Sequence, residues 1–203
     1  MNAGETPMRA DLKIIESWIE PGSRVLDLGC GDGLLLAHLK ETLHIRECGL
    51  EIDQEHIQQC LEKGVSVIEQ DMDKGLPNFQ DNSFDTVVLA QTLQALHRPD
   101  LIVDEMLRVG KRCILTFPNF AYWRHRFYLM TGGRMPKSPH IPYEWYDTPN
   151  LHHCTIADFD ELCRQKNITV LDRTVVDDAR RTSMLMNLNP NFFGVNAIYH
   201  ISR

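Results

Sequence analysis

The chain has 203 residues, enough for one domain with a substantial core. Hydrophobic residues make up 43% and charged residues 24%, the balance of an ordinary soluble protein. With 21 basic and 28 acidic residues the formal charge is −7, which argues against a general nucleic-acid binder and against docking on an anionic membrane.

Thr6-Pro7 is a helix start, with Thr as cap and Pro at the first helical position. Met8, Leu12, Ile15 and Ile19 then share one helical face, and Pro21-Gly22 ends the helix. Residues 24–28 form a short apolar run that leads into glycines, so a strand is predicted. A leucine-rich helix follows from Gly33 to Leu43, then a strand over Cys48–Ile52. Asp53 caps a helix through Leu61, with Gly64 just past its end. Strands are predicted over 65–68 and 84–90, the latter continuous enough to be buried on both faces. Pro99 starts a helix through Leu107 that Gly110 stops, and 112–117 is the fifth strand. Residues 119–154 carry aromatics, prolines and basic residues with no clean period. Thr155 and Asp158 form a weaker version of a capping box. The last two strands are predicted over 168–176 and 193–201. In the second, Phe193, Val195, Ala197, Tyr199 and Ile201 alternate at period two, which suits an edge or antiparallel position. Strands alternating with helices mean a parallel sheet covered by helices.

No uncharged apolar stretch reaches the roughly 18 residues of a membrane span. MNAGETPMRADLK has no apolar core and no basic start, so it does not read as a secretory signal. The six cysteines (30, 48, 60, 113, 154, 163) include no CxxC pair and read as thiols in a reducing compartment. A cytoplasmic single domain over 1–203 is expected, with 119–154 as a cap or insert.

The informative segment is Asp27-Leu28-Gly29-Cys30-Gly31-Asp32-Gly33. A strand ending in close glycines and opening a helix is a ligand-binding turn, because glycine adopts positive φ and lets the backbone approach a ligand. The spacing is GxGxG, whereas a dinucleotide fingerprint is GxGxxG. Two carboxylates would repel a pyrophosphate but suit ammonium and sulfonium charges. Glu51, at the end of the second strand, is placed to accept two ribose hydroxyls. Asp71 could accept from an adenine amino group while Met72 packs on the ring. A tight turn with no ligand is the plainer alternative. Cys30 reads as a small residue between glycines, His38 as an ordinary helix residue. In His152-His153-Cys154 the adjacent histidines diverge and no fourth ligand is in view, so no metal site is expected.

This constellation resembles the class I S-adenosylmethionine-dependent methyltransferases, over about residues 8 to 175 and the final strands. The resemblance implies a Rossmann-like three-layer α/β sandwich with a seven-stranded, mostly parallel sheet whose last strand is antiparallel. It implies a cofactor site for S-adenosylmethionine or S-adenosylhomocysteine built from Asp27, Gly29, Cys30, Gly31, Gly33, Glu51, Ile52, Asp71, Met72 and Gln91. Glu105-Met106-Leu107-Arg108-Val109 is similar to a run common before the fifth strand. The chain departs from that class in its short Val109-Gly110-Lys111-Arg112-Cys113 turn. That turn, with Phe117-Pro118-Asn119, Trp123-Arg124-His125-Arg126, Gly132–Pro136, Tyr143–Asn150 and Leu151–Ile156, resembles the bacterial methionine-biosynthesis MetW family over essentially the whole chain. This closer resemblance implies a role in making methionine beside a homoserine O-acyltransferase.

Two readings stay open. In one, the chain binds the cofactor or its demethylated product and activates the acyltransferase. Trp123, Tyr143, Trp145 and Tyr146 with Arg124, Arg126 and Arg134 then have the composition of an interface core, or else form a lid over the chain's own pocket. In the other, the chain is a methyltransferase on a small acceptor. His97 is then the candidate base, although it also reads as a residue preceding the helix at Arg98-Pro99; Tyr122, His125 and His152 are weaker candidates. No Asn-Pro-Pro-Tyr motif argues for nucleic-acid methylation, and no cysteine-rich metal site would activate homocysteine sulfur.

Overall fold

The computed structural model describes residues 10–138, 141–177 and 182–203. The Thr6-Pro7 helix start and Met8 lie outside these residues. The first half runs α1 (Ala10–Ser17), β1 (Arg24–Leu28), α2 (Leu34–Leu43), β2 (Arg46–Glu51), α3 (Gln54–Glu62), β3 (Val67–Glu69) and β4 (Phe84–Ala90). The second half runs α4 (Pro99–Val109), β5 (Gly110–Pro118), α5 (Trp123–Gly132), α6 (Ile156–Gln165), β6 (Thr169–Val176), α7 (Met184–Leu188), α8 (Pro190–Phe193) and β7 (Asn196–Ser202). Single 3₁₀ turns stand at Met72–Lys74 and Leu93–Ala95. Among the described residues no helix is long and apolar enough to cross a membrane.

Seven strands form one sheet in the order β3-β2-β1-β4-β5-β7-β6. All neighbours pair in parallel except β7, which is antiparallel to both β5 and β6. The expected α/β sandwich with an antiparallel last strand is therefore present. β7 sits inside the sheet and not at its edge. Its period-two apolar face holds Ala197, Tyr199 and Ile201, but Ile198 and His200 on the other face are buried too. Trp18 stacks on His200 at 5.3 Å and covers that second face.

Alternate residues of each central strand feed two cores, one on each side. On β4 and β5, Val87, Leu89, Cys113, Leu115 and Phe117 face α4 and α6 through Val103, Met106 and Phe159. Val88 and Ile114 face α1 and α2 through Ile15, Leu36 and Leu39. Burial on both faces explains why these strands read as continuous apolar runs.

Local signals act where the sequence places them. The Asp53 carboxylate accepts from the Glu55 and His56 amides at 2.9 and 3.0 Å and starts α3. Thr155 and Asp158 close a full capping box on α6. Several boundaries move. The last strand begins at Asn196 and not at Phe193, because Pro190–Phe193 turns as a short helix, and β3 covers Val67–Glu69 in place of 65–68. β2 begins at Arg46 because its first residues extend the pairing with β1 beyond the apolar run. Gly110 opens β5 directly after α4, since a Cβ there would meet the Val87 side chain at 2.5 Å.

Candidate functional site

The strand order reverses between β1 and β4, and their pairing ends at Asp27 and Val88, before either strand does. In open α/β sheets such a switch point leaves a crevice. A cavity of about 220 Å³ lies there. Asp27, Gly29, Cys30 and Gly31 line it from β1 and its turn, Ala90 and Gln91 from the end of β4, and Thr116 from β5. Leu12 and Ile15 of α1 and Leu34 and Leu35 of α2 supply apolar wall.

The turn is built by glycine geometry. Gly29, Gly31 and Gly33 have φ of 69°, 54° and 75°, a region L side chains rarely adopt. The Gly29 and Cys30 amides donate to the Leu50 carbonyl at 2.8 and 3.0 Å, so the turn is tied to β2. Glu51 ties it again. Its Oε2 accepts from the Gly31 amide at 2.9 Å, and its Oε1 from the Ile52 and Asp53 amides at 2.8 and 3.0 Å. One carboxylate thus fixes the loop after β1 and the loop after β2 together.

Asp27 is different in kind. Only 2% of it is exposed, and its Oδ1 is buried with no hydrogen-bond partner. Burial, with the Glu51 charge nearby, pushes its carboxyl up to about 7. A buried, unsatisfied carboxylate on a cavity wall is costly unless a cationic donor arrives to meet it. Asp32 lies at the mouth, paired with Lys63 at 3.1 Å.

Five expected site residues therefore line the cavity: Asp27, Gly29, Cys30, Gly31 and Gln91. Glu51 reaches it through Gly31, and the Met72 methyl lies 3.3 Å from where a Gly29 Cβ would stand. Gly33 caps α2 against Cys60, and a Cβ there would meet the Cys60 Sγ at 2.8 Å. Ile52 is largely exposed beside Glu51. Asp71 caps the 3₁₀ turn by accepting from the Asp73 amide at 3.0 Å, outside the cavity wall. His97 is also outside it. Its ring Nδ1 sits 2.7 Å from Asp73 Oδ2, the side chain is 76% exposed, and that bond holds the Asp73 carboxyl below its usual range.

Several wall residues carried no motif. Thr116 takes the Gln91 amide on its Oγ1 at 3.0 Å and the Gln91 side-chain amide at 3.2 Å, which holds Gln91 at a φ of 59°. Gly49, which does not line the cavity itself, is another omission, since a Cβ there would stand 2.5 Å from the Sγ of Cys30, which does. Its signal was a lone glycine inside a strand, which marks close approach. Among the described residues no group of three or more His, Cys, Asp or Glu side chains could hold a metal ion.

A family model described as "Methionine biosynthesis protein MetW" matches residues 9–201. The bifunctional methionine biosynthesis protein MetXA/MetW of Rhodopirellula baltica is 41% identical over 186 residues, 86% of this chain. The match spans 30% of that longer relative. Among solved structures, a SAM-dependent methyltransferase from Archaeoglobus fulgidus superposes with a TM-score of 0.70 at 16% identity, over 96% of this chain and 92% of that one. The cyclase SpnF superposes at 0.67 and 20% identity, over 96% and 80%. These two likenesses show the fold.

Proposed function

Because the chain belongs to the MetW family of methionine-biosynthesis proteins, we propose that it binds S-adenosylmethionine or S-adenosylhomocysteine and acts with a homoserine O-acyltransferase, which it activates. The observation that carries the ligand reading is Asp27: a buried, unpartnered carboxylate on the wall of the switch-point cavity. An amino-acid ammonium is the natural counter-charge. Glu51, which has lone pairs beyond its three amide bonds, would take ribose hydroxyls. Met72 and Asp71 would hold adenine, and the Gly29–Gly33 turn lets the backbone come close. When bound, S-adenosylmethionine would supply a methyl group on a sulfonium.

The wall favours sensing over methyl transfer. Its described residues are apolar side chains, glycines, Cys30, Asp27, Asp32, Gln91 and Thr116, with no histidine, tyrosine or lysine. His97, the candidate base under the methyltransferase reading, is held on Asp73 outside it. The likeness to a cyclase adds that this fold is not tied to one reaction. S-adenosylmethionine is made from methionine, so a protein that binds it can report pathway output, provided the ligand binds the partnered and free states differently.

The partner reading rests on the Rhodopirellula baltica relative, whose name joins MetXA and MetW in one polypeptide. The test is an assay of homoserine O-acyltransferase with and without this chain, and with S-adenosylhomocysteine added to the pair. Stimulation that the ligand changes is expected. Equal rates in all arms would overturn the reading.

A further inference from the structure

Ten of the twenty large apolar side chains that the described residues expose fall between Trp123 and Leu151. Within α5 only His125 is buried. Trp123, Phe127 and Met130 lie four and three residues apart, on one helical face, and all three are exposed. Beside α5, Tyr128, Met135, Tyr143 and Trp145 surround a surface cavity of about 640 Å³ with Arg134 on its rim. Trp145 and Tyr146 meet edge to face at 5.5 Å and are 73% and 70% exposed.

This surface is separate from the switch-point cavity, whose described wall contains no residue beyond Thr116. The aromatics therefore line no part of that cavity. Their surface is exposed and rich in Trp, Tyr, Met and Arg, the composition of a protein-protein contact.

We propose that this face, α5 with the aromatic turn at 143–146, is where the homoserine O-acyltransferase docks; the proposal rests on the association argued above. Two observations choose that occupant. The first is the relative that carries both units in one chain, which keeps the acyltransferase at high local concentration beside a MetW unit. The second is charge. Residues 119–154 hold four basic and two acidic side chains, a net of +2 in a chain of −7. Lys137 pairs with Glu144, while Arg124 stacks over Trp123 at 5.4 Å and Arg134 enters no ion pair among the described residues. The net positive charge and the exposed apolar side chains call for a partner with an acidic rim around an apolar pocket.

The test is calorimetric titration of the full chain with its homoserine O-acyltransferase, using Met130→Asp and a Trp145→Ala/Tyr146→Ala double variant. Leu61→Asp on α3, at 62% exposure, is the control away from the face. All replaced side chains are exposed, and unchanged melting temperatures verify folding. Each face variant is expected to bind at least about tenfold more weakly, with Leu61→Asp unchanged and S-adenosylhomocysteine binding retained throughout. Unaltered binding by both face variants overturns the docking face and leaves the association standing. No binding by the unaltered chain overturns both. Self-association of the unaltered chain that Met130→Asp abolishes assigns the face to a second copy and overturns the proposal.

Discussion

At the scale of single residues, Asp27 carries the most consequence. Its carboxyl is held near 7 in the folded chain and returns to about 4 on unfolding. Between those values the folded state keeps a proton that the unfolded chain has released. Stability of the ligand-free protein therefore falls as pH rises from about 4 to about 7. Asp27→Asn removes that fall. Urea unfolding at pH 5 and pH 8 is expected to show the variant's stability advantage over the unaltered chain growing by about 1–3 kcal/mol between the two. Affinity for a cationic ligand should rise as Asp27 ionises, and the variant should lose that slope. Gly49 makes the opposite case. A methyl added there runs into Cys30, so Gly49→Ala should destabilise by about 1–3 kcal/mol in the same assay. Asp27 and Glu51 were legible in the sequence because acids at strand ends beside a glycine turn have a chemical meaning. Thr116 was not, because what matters is its position on β5 opposite Gln91, and pairing across the sheet is invisible to local pattern.

At the scale of elements, the strands and amphipathic helices could be read because each buries a patterned face. α5 could not. It buries only His125, so its apolar residues mark no face packed on the core, and its aromatic residues face out. What fixes it is a non-local anchor, Asn119. Fully buried, Asn119 accepts from the Ala121 and Ile156 amides at 3.1 and 3.4 Å and donates to the Asn191 and Gly194 carbonyls at 3.1 and 2.8 Å. It therefore holds together the start of α5, the start of α6 and the turn before β7. Asn119→Ala leaves buried amides and carbonyls unmet, and a loss of about 2–4 kcal/mol is expected by denaturant titration. A second link joins the far end of this segment to the ligand cavity. The Leu151 and His152 amides donate to the Gln94 carbonyl at 2.8 and 3.0 Å, and the Gln94 side chain donates to the Gln91 carbonyl at 2.8 Å. The exposed aromatic segment and the cavity wall thus meet within one loop.

At the scale of the whole molecule, the charge of −7 is divided. Asp27, Asp32 and Glu51 gather at the carboxyl ends of β1 and β2, while 119–154 is basic and aromatic. The acidic end suits a small cation and the basic face suits a macromolecule, which is the arrangement a ligand-reporting partner protein requires. The central claim is that the acidic end is a nucleoside-sulfonium site. Isothermal titration with S-adenosylmethionine and with S-adenosylhomocysteine at pH 7.5, on the unaltered chain and on Asp27→Asn, tests it most directly, because the asparagine keeps the shape and forfeits no hydrogen bond at Oδ1. One site per chain is expected, with binding at least about tenfold weaker in the variant, as loss of a charged hydrogen bond implies. Absence of binding by the unaltered chain, or equal affinity in the two proteins, would contradict it.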